Sequence, residues 1–243
     1  MTQLPEGTIS PKKPSSIQEM FDSIAPTYDL LNHLMSFGMD ILWRKKAVSF
    51  LYDNRYKKIL DIAAGSGDVA FEILRKQPTS IIASDFSLNM LDVLKQKTIS
   101  RRLESQMSFV CCDALLLPFG IDTFEATIVA FGIRNFSDKL ASLREMYRVL
   151  KPGGISIILE LTTPTHPLML QLYKLHSVYI LPALGKIISR HSSAYQYLPD
   201  SIESFPKNEE FYNLMKTAGF IDAEIIPLTF GTATIFKGKK PAL

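Results

Sequence analysis

The chain has 243 residues, 47% of them hydrophobic and 21% charged, a balance that supports a sizeable folded core and excludes a disordered chain. Lys and Arg exceed Asp and Glu by 27 to 24, a net charge of +3, too small an excess to argue for a nucleic-acid partner. No run reaches the roughly 18 uninterrupted apolar residues of a membrane span, and the first residues lack the apolar stretch of a signal peptide.

Residues 1–16, rich in Pro, Ser, Thr and Lys, read as a mobile tail. From 17 to 51 the apolar residues recur at helical spacing (Ile17, Met20, Phe21, Ile24, then Leu30, Leu31, Leu34, Met35). Pro26 divides this helical cap, and its last piece, 39–51, carries Trp43, the only tryptophan. The rhythm then changes to alternating strands and helices. Strands are predicted at 57–64, 80–85, 107–114, 124–133 and 155–161, with helices at 69–76, 89–97 and 138–150 between them. The Pro152-Gly153-Gly154 turn is read as the stop of the last of these helices. Cys111 and Cys112, the only cysteines, fall on the third strand and read as small core residues of an inner strand. Adjacent cysteines build neither a disulfide framework nor a zinc site, and their usage suits a cytoplasmic, reducing setting. The alternation implies a parallel sheet with helices on both faces. A helical, Leu-rich insertion with five prolines spans 162–206. A helix at 208–218 follows, then strands at 223–230 and 232–238. The space around Gly231 is too short for a parallel crossover, so the last strand should be antiparallel.

The chemistry concentrates at strand ends. Asp61-Ile62-Ala63-Ala64-Gly65-Ser66-Gly67-Asp68 closes the first strand and opens a helix, and small residues there let backbone approach a ligand. Asp85 ends the second strand 20 residues after Gly65, where a carboxylate accepts from ribose hydroxyls. Asp113, followed by Ala114, ends the third, where it is expected to accept from an adenine amino group. A single such acid is more often a turn or cap residue; three at successive strand ends beside Gly65 and Gly67 are not. Asp68 stands where the pyrophosphate of a dinucleotide would approach a helix N-terminus. An acidic loop therefore favours S-adenosylmethionine, which bears a sulfonium and an ammonium but no phosphate. His33, His166, His176 and His191 are scattered and read as ordinary structural histidines, and no metal-ligand cluster is visible.

Taken together, these motifs resemble a class I S-adenosylmethionine-dependent methyltransferase. More narrowly, the chain resembles the C-methyltransferases of ubiquinone and menaquinone biosynthesis (the UbiE/MenG type). Their signature Tyr-Asp-x-Met-Asn-x-x-apolar-Ser-x-x-x-His-x-x-Trp stands here as Tyr28-Asp29-Leu30-Leu31-Asn32-His33-Leu34-Met35-Ser36, then Asp40 and Trp43. Arg148-Val149-Leu150-Lys151-Pro152-Gly153-Gly154 with Glu160 and Thr162, and Phe131-Gly132-Ile133-Arg134-Asn135, match two further hallmarks. Leu31 replaces Met, Asp40 replaces His, and Thr162 and Ala130 stand where Ser is usual. The resemblance runs from about 17 to 237. It implies an α/β, Rossmann-like seven-stranded sheet, mostly parallel with an antiparallel last strand and helices on both faces. Residues 17–243 then form one methyltransferase domain with its helical cap (17–51) and insertion (162–206).

The implied reaction methylates a ring carbon of a polyprenyl quinol: demethylmenaquinol in the leading reading, a ubiquinone-pathway benzoquinol in the alternative. Asp61, Gly65, Ser66, Gly67, Asp85, Asp113 and Ala114 are the expected cofactor residues. Arg134, Asn135 and Tyr28 are the expected catalytic ones: Arg134 a fixed cation for the phenolate, Asn135 a hydrogen-bond partner of a quinol oxygen, Tyr28 a lid over the ring. The plainer alternatives are a surface ion pair of Arg134 with Asp138 and a core role for Tyr28. A short-chain dehydrogenase, from the spacing of Tyr147 and Lys151, and a non-catalytic methyltransferase-like module are the rival functions. Lys151 opens a turn, which suits the first poorly, and the intact glycine loop argues against the second. A quinol with an isoprenoid tail also implies peripheral contact with the membrane, and 165–190 is the expected surface: Leu168, Leu172, Leu175 and Tyr179 recur at helical spacing, with Lys174, Lys186 and Arg190 beside them.

Overall fold

The computed structural model describes residues 22, 33, 35–52, 56–164, 167–175 and 192–242, without the side chains at 168, 172, 174 and 192–196. Tyr28, the tail, most of the earlier pieces of the helical cap and most of the 165–190 surface lie outside the described residues.

The strands are β1 (Lys58–Ile62), β2 (Ser80–Asp85), β3 (Met107–Cys111), β4 (Phe124–Ala130), β5 (Leu150–Leu161), β6 (Ile221–Leu228) and β7 (Ala233–Lys239). They form one seven-stranded sheet in the order β3-β2-β1-β4-β5-β7-β6. Every pair from β3 to β5 is parallel, and β7 runs against both of its neighbours. The described helices are α1 (Met39–Ser49), α2 (Asp68–Lys76), α3 (Leu88–Ser100), α4 (Lys139–Val149), α5 (Pro167–Leu175), α6 (Ser192–Glu203) and α7 (Asn208–Thr217).

The strands are buried on both faces, and their period of two assigns residues to two cores. Ile59, Ala126, Ile128, Ile157 and Ile235 meet Val48, Val69, Phe71 and Leu94 of α1–α3. Leu60, Ile62, Val129, Ile158 and Phe236 meet Leu143, Met146, Phe211 and Met215 of α4 and α7. Asp61 shares its parity with Ile59 and points to the α1–α3 face; Glu160 shares its parity with Ile158 and points to the other.

Three expectations change. The sheet order puts β3 at an edge, so Cys111 and Cys112 are not inner-strand core residues: Cys111 is exposed and Cys112 partly so. β5 begins at Leu150, which pairs with Phe124 before the register shifts to Ala126 and Ile155. Pro152-Gly153-Gly154 is therefore an irregularity inside β5, while α4 ends at Val149. β4 stops at Ala130, not 133, because Phe131 turns to a left-handed φ of 61°.

Candidate active site: the cleft at the carboxyl ends of β1, β2 and β4

β1 lies between β2 and β4, so the chain leaves it toward one face and leaves β4 toward the other. A crevice opens at such a switch point, outside the carboxyl ends of the strands. Here it is a small open cleft bounded by the 63–68 loop, Arg44, Asp61, Val69 and Ala130. Close backbone packing shapes it. Gly67 has φ 98°, and a Cβ there would stand 2.1 Å from Leu94 Cδ1. Across the cleft, a Cβ on Gly132 would stand 2.6 Å from that of Ala63, which itself holds a left-handed φ of 53°. Lys97 Nζ donates to the Ser66 carbonyl at 3.3 Å and ties the loop to α3.

Of the acids predicted from the sequence, Asp61 lines this cleft and Asp85 bonds its glycine loop, while Asp113 makes only a local contact beyond β3. Asp61 is 1% exposed, and its Oδ2 has no hydrogen-bond partner. Burial, and then the Asp85 charge, push its carboxyl up to about 8 against the opposing pull of Arg44. An orphaned buried carboxylate oxygen lining a cleft fits a cationic ligand, which is what S-adenosylmethionine offers. Asp85 accepts the Gly65 N–H at 2.8 Å on Oδ2 and the Ser87 N–H at 2.9 Å on Oδ1. Burial raises its carboxyl above the ordinary value, opposed by those N–H groups. Ser87 Oγ in turn bonds Asp22. Asp113 lies two residues beyond β3, exposed, with Oδ1 accepting the Leu115 N–H at 2.9 Å; Ala114 beside it is buried.

Arg44, on α1, is a residue the sequence reading passed over. It lines the cleft, lies 3.4 Å from Asp68, pairs with Asp40 and stacks 5.1 Å over the Phe131 ring. Its signal was weak: one arginine in a helix, one residue after Trp43. Asp40, where the family signature has His, turns out to face an imidazole. His33 Nδ1 is 2.7 Å from Asp40 Oδ2, and Ser36 Oγ donates to Asp40 Oδ1 at 2.6 Å. Burial opposes the Asp40 charge, but Ser36 and Arg44 hold its carboxyl below the ordinary value. These ligand atoms of His33, Asp40 and Asp68 lie within 4.8 Å of one another, so His33 belongs to the cleft's surroundings rather than to a scattered background.

Arg134 and Asn135 follow β4 in a short 3-10 turn, Ile133–Asn135. The Arg134 side chain is 7% exposed and pairs at 2.7 Å with Glu160, which is fully buried. It also donates to the Phe131 carbonyl at 2.5 Å and to Ser201 Oγ at 3.3 Å, and its backbone N–H reaches the second Glu160 oxygen at 3.0 Å. The ion pair is thus internal and with Glu160; Asp138 instead caps α4 through the Ala141 N–H. Asn135 Oδ1 accepts from the Tyr197 hydroxyl at 2.7 Å, a contact from α6 that no local pattern announced.

A mostly parallel seven-stranded sheet with β7 reversed, and a glycine loop and acids at its switch point, define a class I methyltransferase. Solved structures agree at the level of fold: the [4+2]-cyclase SpnF superposes with a TM-score of 0.70 at 17% identity over 97% of this chain and 98% of that one. A methyltransferase from Thermotoga maritima superposes with a TM-score of 0.65 at 17% identity over 92% and 99%. The chain belongs to the ubiE/COQ5 methyltransferase family, whose model matches residues 9–240. It is 43% identical over 230 residues to a demethylmenaquinone methyltransferase of Bacteroides fragilis, covering 94% of each chain. It is 42% identical to the ubiquinone/menaquinone biosynthesis C-methyltransferase UbiE of Geotalea daltonii, over 94% of this chain and 98% of that one. The demethylmenaquinone methyltransferase of Thermus thermophilus is also 42% identical, over 91% and 100%. The chain is accordingly an S-adenosylmethionine-dependent methyltransferase.

Proposed function

We propose that this enzyme methylates a ring carbon of a polyprenyl quinol, demethylmenaquinol, to give menaquinol. The observation that carries the reading is the end-to-end match, at 43% and 42% identity, with chains named for that substrate. When bound, S-adenosylmethionine supplies an electrophilic methyl group on a sulfonium. The chain's task is to orient two reactants and exclude water. Asp85 receives the ribose while holding the Gly65 N–H, Asp113 and Ala114 meet the adenine, and Asp61 meets the ammonium. Arg44, the cation in the cleft wall, receives the α-carboxylate.

On the quinol side, Asn135 donates its amide N–H to a quinol oxygen, with its own oxygen held by Tyr197. Arg134 braces that turn, because its charge is already met by Glu160 at 2.7 Å. His33, oriented by Asp40 as imidazoles are in acid–base pairs, accepts the hydroxyl proton. Loss of that proton makes the adjacent ring carbon nucleophilic.

The isoprenoid tail of such a quinol stays in the bilayer, so the reaction takes place at the membrane surface. No helix among the described residues is long and apolar enough to cross a membrane. The decisive assay compares methyl transfer from S-adenosylmethionine to short-chain demethylmenaquinol and to the demethylated benzoquinol, with calorimetry of S-adenosylmethionine against NADH. Preference for the naphthoquinol supports the reading. Preference for the benzoquinol moves the enzyme to the ubiquinone pathway, and binding of NADH alone overturns it.

A further inference from the structure

We propose that the rim formed by the N-terminal tip of α1 and the Thr229–Gly231 turn is the surface by which this protein docks on an anionic lipid bilayer. The proposal rests on the polyprenyl-quinol reading and says where the membrane is met.

Both parts of the rim stand at the same edge of the sheet as the cleft. β6 runs in the same sense as β5, since β7 is antiparallel to each. The turn after Leu228 therefore lies at the edge where β1 and β4 deliver their ligand loops. The chain passes from α1 into the start of β1, so the N-terminus of α1 points to that edge too. Trp43 joins the two parts: its Nε1 donates to Thr229 Oγ1 at 2.8 Å.

What the rim presents is apolar. Phe230 is 72% exposed and Phe37 72%, with Leu42 at 55% and Ile41 at 40%. Both phenylalanines sit on left-handed backbone, Phe37 at φ 52° and Phe230 at 56°, an unusual state for a bulky residue. Phe230 lies in a run of three such residues, Thr229 to Gly231. Large side chains held outward on tight turns at the mouth of a cleft gain nothing from water.

Charge selects the partner. Lys45 and Lys46 follow Ile41 and Leu42 by four residues on the same exposed side of α1. Four residues of helix rise about 6 Å. An interfacial apolar face sinks roughly 5–10 Å past the headgroups, so with Ile41 and Leu42 inserted the backbone at Lys45 and Lys46 stands at the level of lipid phosphates, which the flexible side chains reach once the Lys46 ammonium leaves the Phe50 ring it covers at 5.2 Å. Arg44, between them in sequence, faces inward to the cleft. Docking in this pose sets the cleft mouth against the bilayer, where a quinol ring can enter while its tail remains in lipid.

The test is co-sedimentation of the full chain with phosphatidylglycerol/phosphatidylcholine vesicles and with pure phosphatidylcholine vesicles, alongside methyl transfer to a short-chain soluble quinol. The expected result is binding to the anionic vesicles that weakens with salt. Leu42→Ser with Phe230→Ser should lower the partition coefficient by on the order of tenfold or more, and Lys45→Glu with Lys46→Glu should abolish the preference for anionic lipid. Both double variants should keep wild-type turnover of the soluble quinol, which shows them folded. Wild-type vesicle binding by either variant overturns the proposal. So does a rim that, when mutated, changes the oligomeric state instead of lipid binding, which would assign it to a second copy of the chain. Vesicle binding with the expected variant effects but no turnover of any quinol would uphold the docking surface and overturn the substrate reading alone.

Discussion

Arg134 and Glu160 form an ion pair withdrawn from water, Nη1 to Oε1 2.7 Å, at 7% and 0% exposure. Removing one partner of such a pair leaves a buried charge uncompensated, at about 3–5 kcal/mol. Arg134→Ala is therefore expected to lower unfolding stability by that order in urea titrations. Methyl transfer should also fall, with cofactor affinity retained, because the turn carrying Asn135 loses its brace. Unchanged stability would count against the pair as a structural brace of that turn.

Asp85→Ala should weaken S-adenosylmethionine by about 1.5–3 kcal/mol, the size of a hydrogen bond to a charged group. The carboxylate also holds the Gly65 and Ser87 N–H groups, so Asp85→Asn, which keeps one acceptor oxygen, should lose less. Calorimetric affinities of the two variants equal to wild type would remove the ribose assignment.

Asp61 is expected to make cofactor binding sensitive to pH. Its carboxyl, ordinarily at 3.8, sits at about 8 in the free protein, so the folded chain carries a proton that the unfolded chain has released. Between these values the folded state binds more protons, and this group's contribution to stability falls as pH rises. A cationic ligand favours the ionised form, so binding should expel a proton and affinity should climb as pH approaches 8. Calorimetry in buffers of different ionisation enthalpy reads the proton directly, and Asp61→Asn should abolish it. A buffer-independent enthalpy near pH 7 counts against the contact.

Gly132 and Ala63 offer a packing test. A methyl group on Gly132 has Ala63 Cβ at 2.6 Å, and overpacking of this kind costs about 1–3 kcal/mol. Gly132→Ala should destabilise within that range. Ala63→Gly, which also relieves a left-handed alanine, should recover most of the loss in the double variant. Additive effects in the double-mutant cycle would mean the loops are not in contact.

His33→Asn keeps a donor for the Asp40 carboxylate but has no second ring nitrogen. Turnover should drop by about 10²–10⁴-fold, the usual share of general base catalysis, with folding and cofactor affinity intact. Wild-type turnover would leave His33 as a brace of the α1 terminus and send the proton elsewhere.

Local information in the chain was sufficient for the strand–helix alternation, the glycine loop, the acids at 61, 85 and 113, and the reversed last strand. Each follows from periodicity, from turn chemistry or from a connection too short to cross over. The antiparallel β7 is the clearest case, since the residues around Gly231 cannot span a parallel crossover. Sheet order was not local: strand patterns do not say which strand is outermost, and only assembly showed that β3 is an edge and Cys111 exposed. Nor were partners distant in sequence. Arg134 meets Glu160 across 26 residues and Asn135 meets Tyr197 across 62, so the same arginine reads from sequence as a fixed cation for the phenolate and in the fold as half of a buried pair. Asp61 and Arg44 acquire their character the same way. Strand parity turns Asp61 toward the α1–α3 face, and packing of α1 against the sheet brings the cation to it; burial and neighbouring charge are properties of the folded chain, not of either residue.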